Sequence, residues 1–320
     1  MRRRAWGVLL AVLLLASACG GTPPAAQPPP PPETAPPAGE ELVSFTDDLG
    51  QTFSLPRPRR VAALIGSFAD IWCLAGGADT LVATANDAWE SYGLQLESTA
   101  SIGSGMSPSA ELVLAARPDL ILASTISSSN LELRDTFDQA GIPAAYFDVA
   151  SFDDYLALLE LCTRLTGCPE NYQRYGAEVE ARVDAALARQ DGSAPTVLYI
   201  QASGRSCTVK RSQGTVLGEM LAGLGCVNVA DREGALLEEL SLEAILQADP
   251  DHIFAVYHGT DGEQARRNLE QTLLSNPAWG GLRAVREGRF HVMERRLFNL
   301  KPNALWGDSY EELADILYGP

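Results

Sequence analysis

Histidine is nearly absent from this chain of 320 residues: only His252, His258 and His291 are present. An imidazole-based catalytic centre or a histidine-rich metal site has little to be built from, and no GxSxG, HExxH or phosphate-loop pattern appears. The six cysteines form no CxxC pair and no Cys/His spacing of the zinc type. Positive charge is also short. Twenty-four Lys and Arg stand against 41 Asp and Glu, a formal charge of −17, which argues against a nucleic-acid backbone as partner. No apolar run reaches the roughly 20 residues that a membrane span needs. The N-terminal run, Ala5 to Leu15, follows the basic start Met1-Arg2-Arg3-Arg4 and has the length of a signal peptide.

What is there begins with the end of that run, Ala16-Ser17-Ala18-Cys19-Gly20. Small residues before a Cys and a glycine after it resemble the lipobox of bacterial lipoproteins, which implies cleavage before Cys19 and lipidation of its thiol. Ala16 stands where that box more often has Leu, and the alternative is an ordinary secretory cleavage after Ala18. Residues 20–41 are Pro-rich and free of aromatics, a tether unable to form a core and suited to hold a folded body clear of a membrane. The expected organisation is a signal peptide over 1–18, lipidated Cys19 and tether over 19–41, a first lobe over 42–150, a connector over 151–192 and a second lobe over 193–320. Beyond Cys19 an odd number of thiols remains, Cys73, Cys162, Cys168, Cys207 and Cys226; Cys162 with Cys168 and Cys207 with Cys226 are close enough in sequence to pair.

The folded part contains one unit twice. Ser109-x-Glu111-x6-Pro118-Asp119-x-Ile121 recurs 132 positions later as Ser241-x-Glu243-x6-Pro250-Asp251-x-Ile253. Each copy predicts a Ser-capped short helix with an exposed glutamate in its first turn, a Pro-Asp stop and a buried strand. The alternation around them is strand, helix, strand: Arg60–Ile65, Asp70–Ala75 and Thr80–Ala85 early in the chain, then Thr196–Gln201 and Val216–Gly223 in its second half. A hairpin over Val43–Leu55 precedes them. The fold class is α/β, two lobes with mostly parallel sheets. Between them, apolar periodicity over Phe152–Leu165, a break at Thr166–Pro169 and a second stretch over Glu170–Arg189 predict a long amphipathic connector.

Ligands of parallel α/β sheets bind beyond the carboxyl ends of the strands. Those loops are Gly66–Phe68, Asn86–Tyr92, Gly103–Met106 and Ser124–Asn130 in the first lobe, and Ser203–Gln213, Tyr257–Thr260 and Glu294–Asn303 in the second. Two are basic, one with Arg205, Lys210 and Arg211, the other with Arg295, Arg296 and Lys301, which suits an anionic ligand. At least half of these six are expected to pair locally or face solvent. Ser67, Phe68 and Met106 lie on first-lobe loops, and Trp89, Tyr92, Tyr257 and Phe298 offer flat apolar contact. Ser67 lacks the second glycine of a nucleophile elbow, and Met106 and His258, each alone, are read as non-ligands of a metal.

The run Phe45 to Phe53, the stretch Arg60 to Ile71 and both Glu-x6-Pro-Asp motifs together resemble the periplasmic binding proteins of bacterial importers for iron-siderophores, haem and cobalamin, over roughly residues 42–320. The resemblance implies two α/β lobes joined by one long helix. It implies a monomer without catalysis or cofactor of its own, anchored by lipid on the extracytoplasmic face of the cell membrane. Such a protein delivers a metal chelate to a permease and ATPase. By position, Glu111 and Glu243 correspond to the surface glutamates that meet permease arginines. The expected cargo is a ferric siderophore gripped by Arg205, Arg295 and Arg296, with Ser67, Phe68, Trp89, Met106, Lys210, Tyr257 and Lys301 around it. The alternatives are haem or cobalamin as cargo, and, in other classes, a surface hydrolase or an adhesive lipoprotein.

Overall fold

The computed structural model describes residues 41–232, 240–259 and 261–319; the expected signal peptide, Cys19, the tether up to residue 40 and Thr260 lie outside these. Five parallel strands build the first sheet, in the spatial order Ala100–Ser101, Leu81–Thr84, Val61–Ala63, Leu120–Ser124, Ala144–Phe147. The chain moves to one side of Val61–Ala63 and then crosses to the other. A crevice therefore opens beyond the carboxyl ends of Val61–Ala63 and Leu120–Ser124, where the order reverses. The expected hairpin, Val43–Thr46 with Thr52–Leu55, is pinned to this lobe by Asp47, which accepts from the amides of Leu49, Gln51 and Tyr146.

In the second sheet Thr196–Ala202 pairs parallel with His252–Tyr257, which pairs parallel with Phe290–Met293. The other edge of Thr196–Ala202 is shared by a short parallel strand, Val227–Asn228, and an antiparallel one, Cys207–Lys210. That antiparallel strand corrects the expectation of a continuous polar loop over Ala202–Gly214. Alternation of Cys207 and Val209 toward the core with Thr208 and Lys210 outward is a strand pattern, and the chain doubles back after a Ser203–Ser206 turn.

Both faces of the central strands of each sheet are buried, as parallel strands require. Val61, Ala63, Leu122 and Phe147 join Val197, Tyr199, Phe254 and Val256 of the second sheet in one cluster that also holds Leu158, Leu165, Val179, Val183 and Trp306. The alternate residues turn away: Ala62, Leu64, Ile121 and Tyr146 form a separate first-lobe core, and Leu198, Ile200, Ile253 and Ala255 a second-lobe core. The connector is bent rather than one rod. A helix over Phe152–Thr166 closes on Gly167 (φ 79°), whose left-handed conformation lets the amides of Gly167 and Cys168 return to the Thr163 carbonyl. Helix resumes at Glu170, passes a π-turn at Gln173–Ala177 and runs on over Glu178–Leu187, packed along the final helix Trp306–Tyr318. Arg182 ties the two by binding Asp308 (3.0 Å) and Glu311 (2.7 Å).

The repeat proves deeper than its motif. Ser109 and Ser241 each cap their helix, Ala110–Ala115 and Leu242–Ala248, by accepting an amide at N3 (3.3 Å in both). The residue before each proline, Arg117 (φ 47°) and Asp249 (φ 37°), is left-handed, because proline disfavours the right-handed helical conformation in its predecessor. The aspartate after each proline then fastens the neighbouring strand: Asp119 accepts from the amides of Arg59 and Arg60, and Asp251 from the amide and hydroxyl of Thr196. All five cysteines beyond Cys19 are free thiols, so neither pairing open on spacing forms.

Candidate functional site

The two lobes meet through the loops at the carboxyl ends of their strands. Arg296 of the second lobe reaches Asp70 of the first (3.3 Å) and lies 4.3 Å over the ring of Tyr92. Its other nitrogen donates to the carbonyls of Lys301 (2.9 Å) and Pro302 (3.1 Å). Asn303, wholly buried and left-handed (φ 56°), donates to the Ser67 carbonyl (3.0 Å) and to Asp70 (2.8 Å). Arg295 donates to the Ser91 hydroxyl (3.3 Å) and faces Asp87. Burial pushes the Asp70 carboxyl above the usual carboxylate range, with Asn303 and Arg296 pulling it down; Asp87 is also raised, chiefly by burial. Burial lowers the Lys301 ammonium against the pull of Asp148, Asp154 and Asp87.

Several expected ligand residues are thereby corrected. The predicted Gly66–Phe68 loop is the first turn of a helix, Gly66–Leu74, because Asp87 accepts from the Gly66 amide (2.9 Å) in place of a side-chain cap. Only glycine fits there, since a Cβ would stand 2.5 Å from the Ala88 nitrogen. Ser67 and Phe68 are buried in that turn, Phe68 at 0% exposure within the shared core. Arg296 is engaged between the lobes and so is not free to grip a ligand as expected, and the Lys301 carbonyl accepts from it. Lys210 is carried down the antiparallel strand to pair with Tyr199, three residues below the edge where Ala202 pairs with Cys207. Arg211 follows it there, leaving Arg205, exposed in the Ser203–Ser206 turn, at the cleft edge.

The remaining candidates keep surface at that edge. Trp89 is half-buried against the shared core, Tyr257 ends its strand half-buried, and Met106 is 81% exposed at the tip of the Gly103–Pro108 turn. Ile126, just past Leu120–Ser124, is 56% exposed. Sequence reasoning missed Asp70 and Asn303; Asp70 left a signal, as the one charge in the helix Gly66–Leu74, among buried Ser67, Phe68, Ala69, Ile71 and Trp72. It also missed Gln201 and Asn299, which sit beside His258 on the second-lobe edge. His252 and His291 stack on Phe254 near the amino ends of their strands, away from these loops; burial first, then the neighbouring charges, brings His252 down to about 4. A cavity of about 310 Å³ lies against the connector at Asp148 and Asp154, and one of about 570 Å³ lies in the second lobe among Arg211, Glu219 and Asp231. Neither is lined by residues of both lobes.

Among the described residues no helix is long and apolar enough to cross a membrane, and no cluster of His, Cys, Asp and Glu has the makings of a metal site. Glu111 and Glu243 are exposed in the first turns of their helices. A putative ABC transporter substrate-binding lipoprotein YhfQ of Bacillus subtilis (strain 168) is 22% identical over 278 residues, 82% of this chain and 84% of that protein. Among solved structures, the periplasmic heme-binding protein RhuT from Roseiflexus sp. RS-1 superposes with TM-score 0.65 at 23% identity, covering 81% of this chain and 98% of that one. The periplasmic vitamin B12 binding protein BtuF of Vibrio cholerae gives 0.67 at 20% identity, covering 82% and 97%. The periplasmic binding protein family model matches residues 61–297, from the first strand of the first sheet to the interlobe arginines. The chain belongs to the periplasmic binding protein family.

Proposed function

We propose that this protein is the extracytoplasmic receptor of an ABC importer and takes a tetrapyrrole-type metal chelate, haem or cobalamin, into its interlobe cleft. The observation that carries the choice is the shortage of free cations at the cleft edge. Of the two basic loops that favoured a ferric siderophore, one has both its arginines engaged between the lobes and the other leaves Arg205 alone at the edge. A highly anionic siderophore complex would enter a strongly acidic protein with little to neutralise it. A large chelate of low charge instead finds exposed Met106 and Ile126 on one lobe and Tyr257, His258 and Gln201 on the other. We read the protein as a carrier rather than a catalyst: Ser67, the hydroxyl singled out at a strand-to-helix junction, is buried. Haemin and cyanocobalamin, titrated into the full chain by tryptophan quenching, are expected to bind with a Kd below about 10 μM for at least one of them, and ferric catecholate and hydroxamate complexes at least about tenfold more weakly. Tighter binding of a ferric siderophore would reverse the assignment.

In the same reading Cys19 is lipidated, the Pro-rich tether spans from the membrane, and a single copy docks on the permease through Glu111 and Glu243. Glu111→Ala combined with Glu243→Ala should cut cargo uptake by whole cells about tenfold while leaving cargo affinity unchanged. Loss of affinity in that double variant would put the pair in the cleft instead.

A further inference from the structure

Three polar side chains that the motifs do not account for converge at the carboxyl edge of the second sheet. Gln201 lies near the end of Thr196–Ala202, His258 follows His252–Tyr257, and Asn299 follows the helical turn after Phe290–Met293, so each comes from one of three adjacent parallel strands. Gln201 Nε2 donates to Asn299 Oδ1 at 2.6 Å, and Asn299 Nδ2 lies 3.3 Å from His258 Nδ1. A carboxamide accepts at its oxygen and donates at its nitrogen. Once Gln201 occupies the oxygen of Asn299, the NH₂ end faces the imidazole, and Nδ1 receives that bond with its lone pair. A neutral imidazole carries one proton, which must then sit on Nε2. The main chain at His258 is held as well, its amide donating to the Ala202 carbonyl at 2.7 Å. His258 is exposed on this edge, and its ring has no further hydrogen-bond partner among the described residues.

We propose that Gln201 and Asn299 are positioning residues that hold His258 as its Nε2–H tautomer, so that it donates a hydrogen bond into the interlobe cleft to a carboxylate or amide carbonyl oxygen of the cargo. The placement of cargo rests on the function proposed above, whereas the tautomer does not. An Nε2 that carries a proton has no lone pair for a metal, so His258 recognises the periphery of a chelate and not its metal centre.

The full chain labelled with nitrogen-15 histidine tests the relay, since three histidines give few ring signals and His258→Gln identifies the one that matters. At about pH 8 the His258 proton is expected on Nε2. In Asn299→Asp, whose carboxylate only accepts, it should move to Nδ1, and in Gln201→Ala, where Asn299 is free to turn, both tautomers should appear. A wild-type ring protonated on Nδ1, or one unmoved by Asn299→Asp, overturns the proposal. Haemin and cyanocobalamin are the binding probes. His258→Gln, which keeps an N–H donor, should stay within about threefold of wild type, and His258→Ala and Asn299→Asp should bind about tenfold more weakly, the worth of one hydrogen bond. Equal affinity in every variant removes His258 from cargo recognition. If neither probe binds the wild type, the cargo assignment fails, and the tautomer result still decides the relay.

Discussion

Trp306→Ala is expected to lower the stability of the whole chain by about 4 kcal/mol, the upper range for truncating a large buried side chain. The indole is 0% exposed, 5.8 Å from the ring of Phe152 on the first connector helix and 6.1 Å from Tyr310 on the final helix. It belongs to the one cluster that contains residues of both sheets and of the connector, so the cavity would open where the lobes share their core. Its N–H meets no acceptor among the described residues, so that polar group contributes nothing favourable. Trp306→Phe, which discards the N–H and keeps a ring, should therefore cost only about 1 kcal/mol. Urea unfolding followed by circular dichroism measures both. A loss under about 1 kcal/mol for alanine would show that the lobes do not depend on this junction.

Arg296→Ala should follow at about 3 kcal/mol, in the range found when one partner of a shielded ion pair is removed. The side chains of Arg296 and Asp70 are 20% and 13% exposed, so solvent screens them little. Truncation also bares the carbonyls of Lys301 and Pro302 and removes the cation from the Tyr92 ring. Burial already raises the Asp70 carboxyl, and losing Arg296 raises it further. A carboxyl whose folded pKa lies above its unfolded value binds more protons when folded, so stability falls as pH rises through the folded pKa and recovers on acidification. The deficit of Arg296→Ala should accordingly be smaller at about pH 5 than at about pH 8, and Asp70→Asn in an Arg296→Met background should restore most of it. A deficit equal at both pH values would place the cost elsewhere than on Asp70.

These residues show where local pattern stops being informative. The helix Val216–Gly223 and the Ser-capped helices before Pro118 and Pro250 were legible because their signals lie within a few residues of each other: a cap, a periodicity, a glycine or proline stop. The Gly66–Phe68 turn was misread as a loop because its cap comes from Asp87, 21 residues along the chain. The hairpin at Cys207–Lys210 was hidden by a polar composition that a partly exposed edge strand shares with a loop. Its misreading mattered most for function, since it placed Lys210 and Arg211 at a cleft from which the antiparallel strand removes them.

From its own residues the chain determines two related α/β lobes, the helical stretch between them and one exposed glutamate in each lobe, because duplication, periodicity and capping act over a turn or a strand. Which cations remain free for a ligand was decided by tertiary structure alone. Arg296 binds a carboxylate 226 positions away and Asn303 a carbonyl 236 positions away, and no local spacing encodes partners that meet only after both lobes have folded and closed on each other.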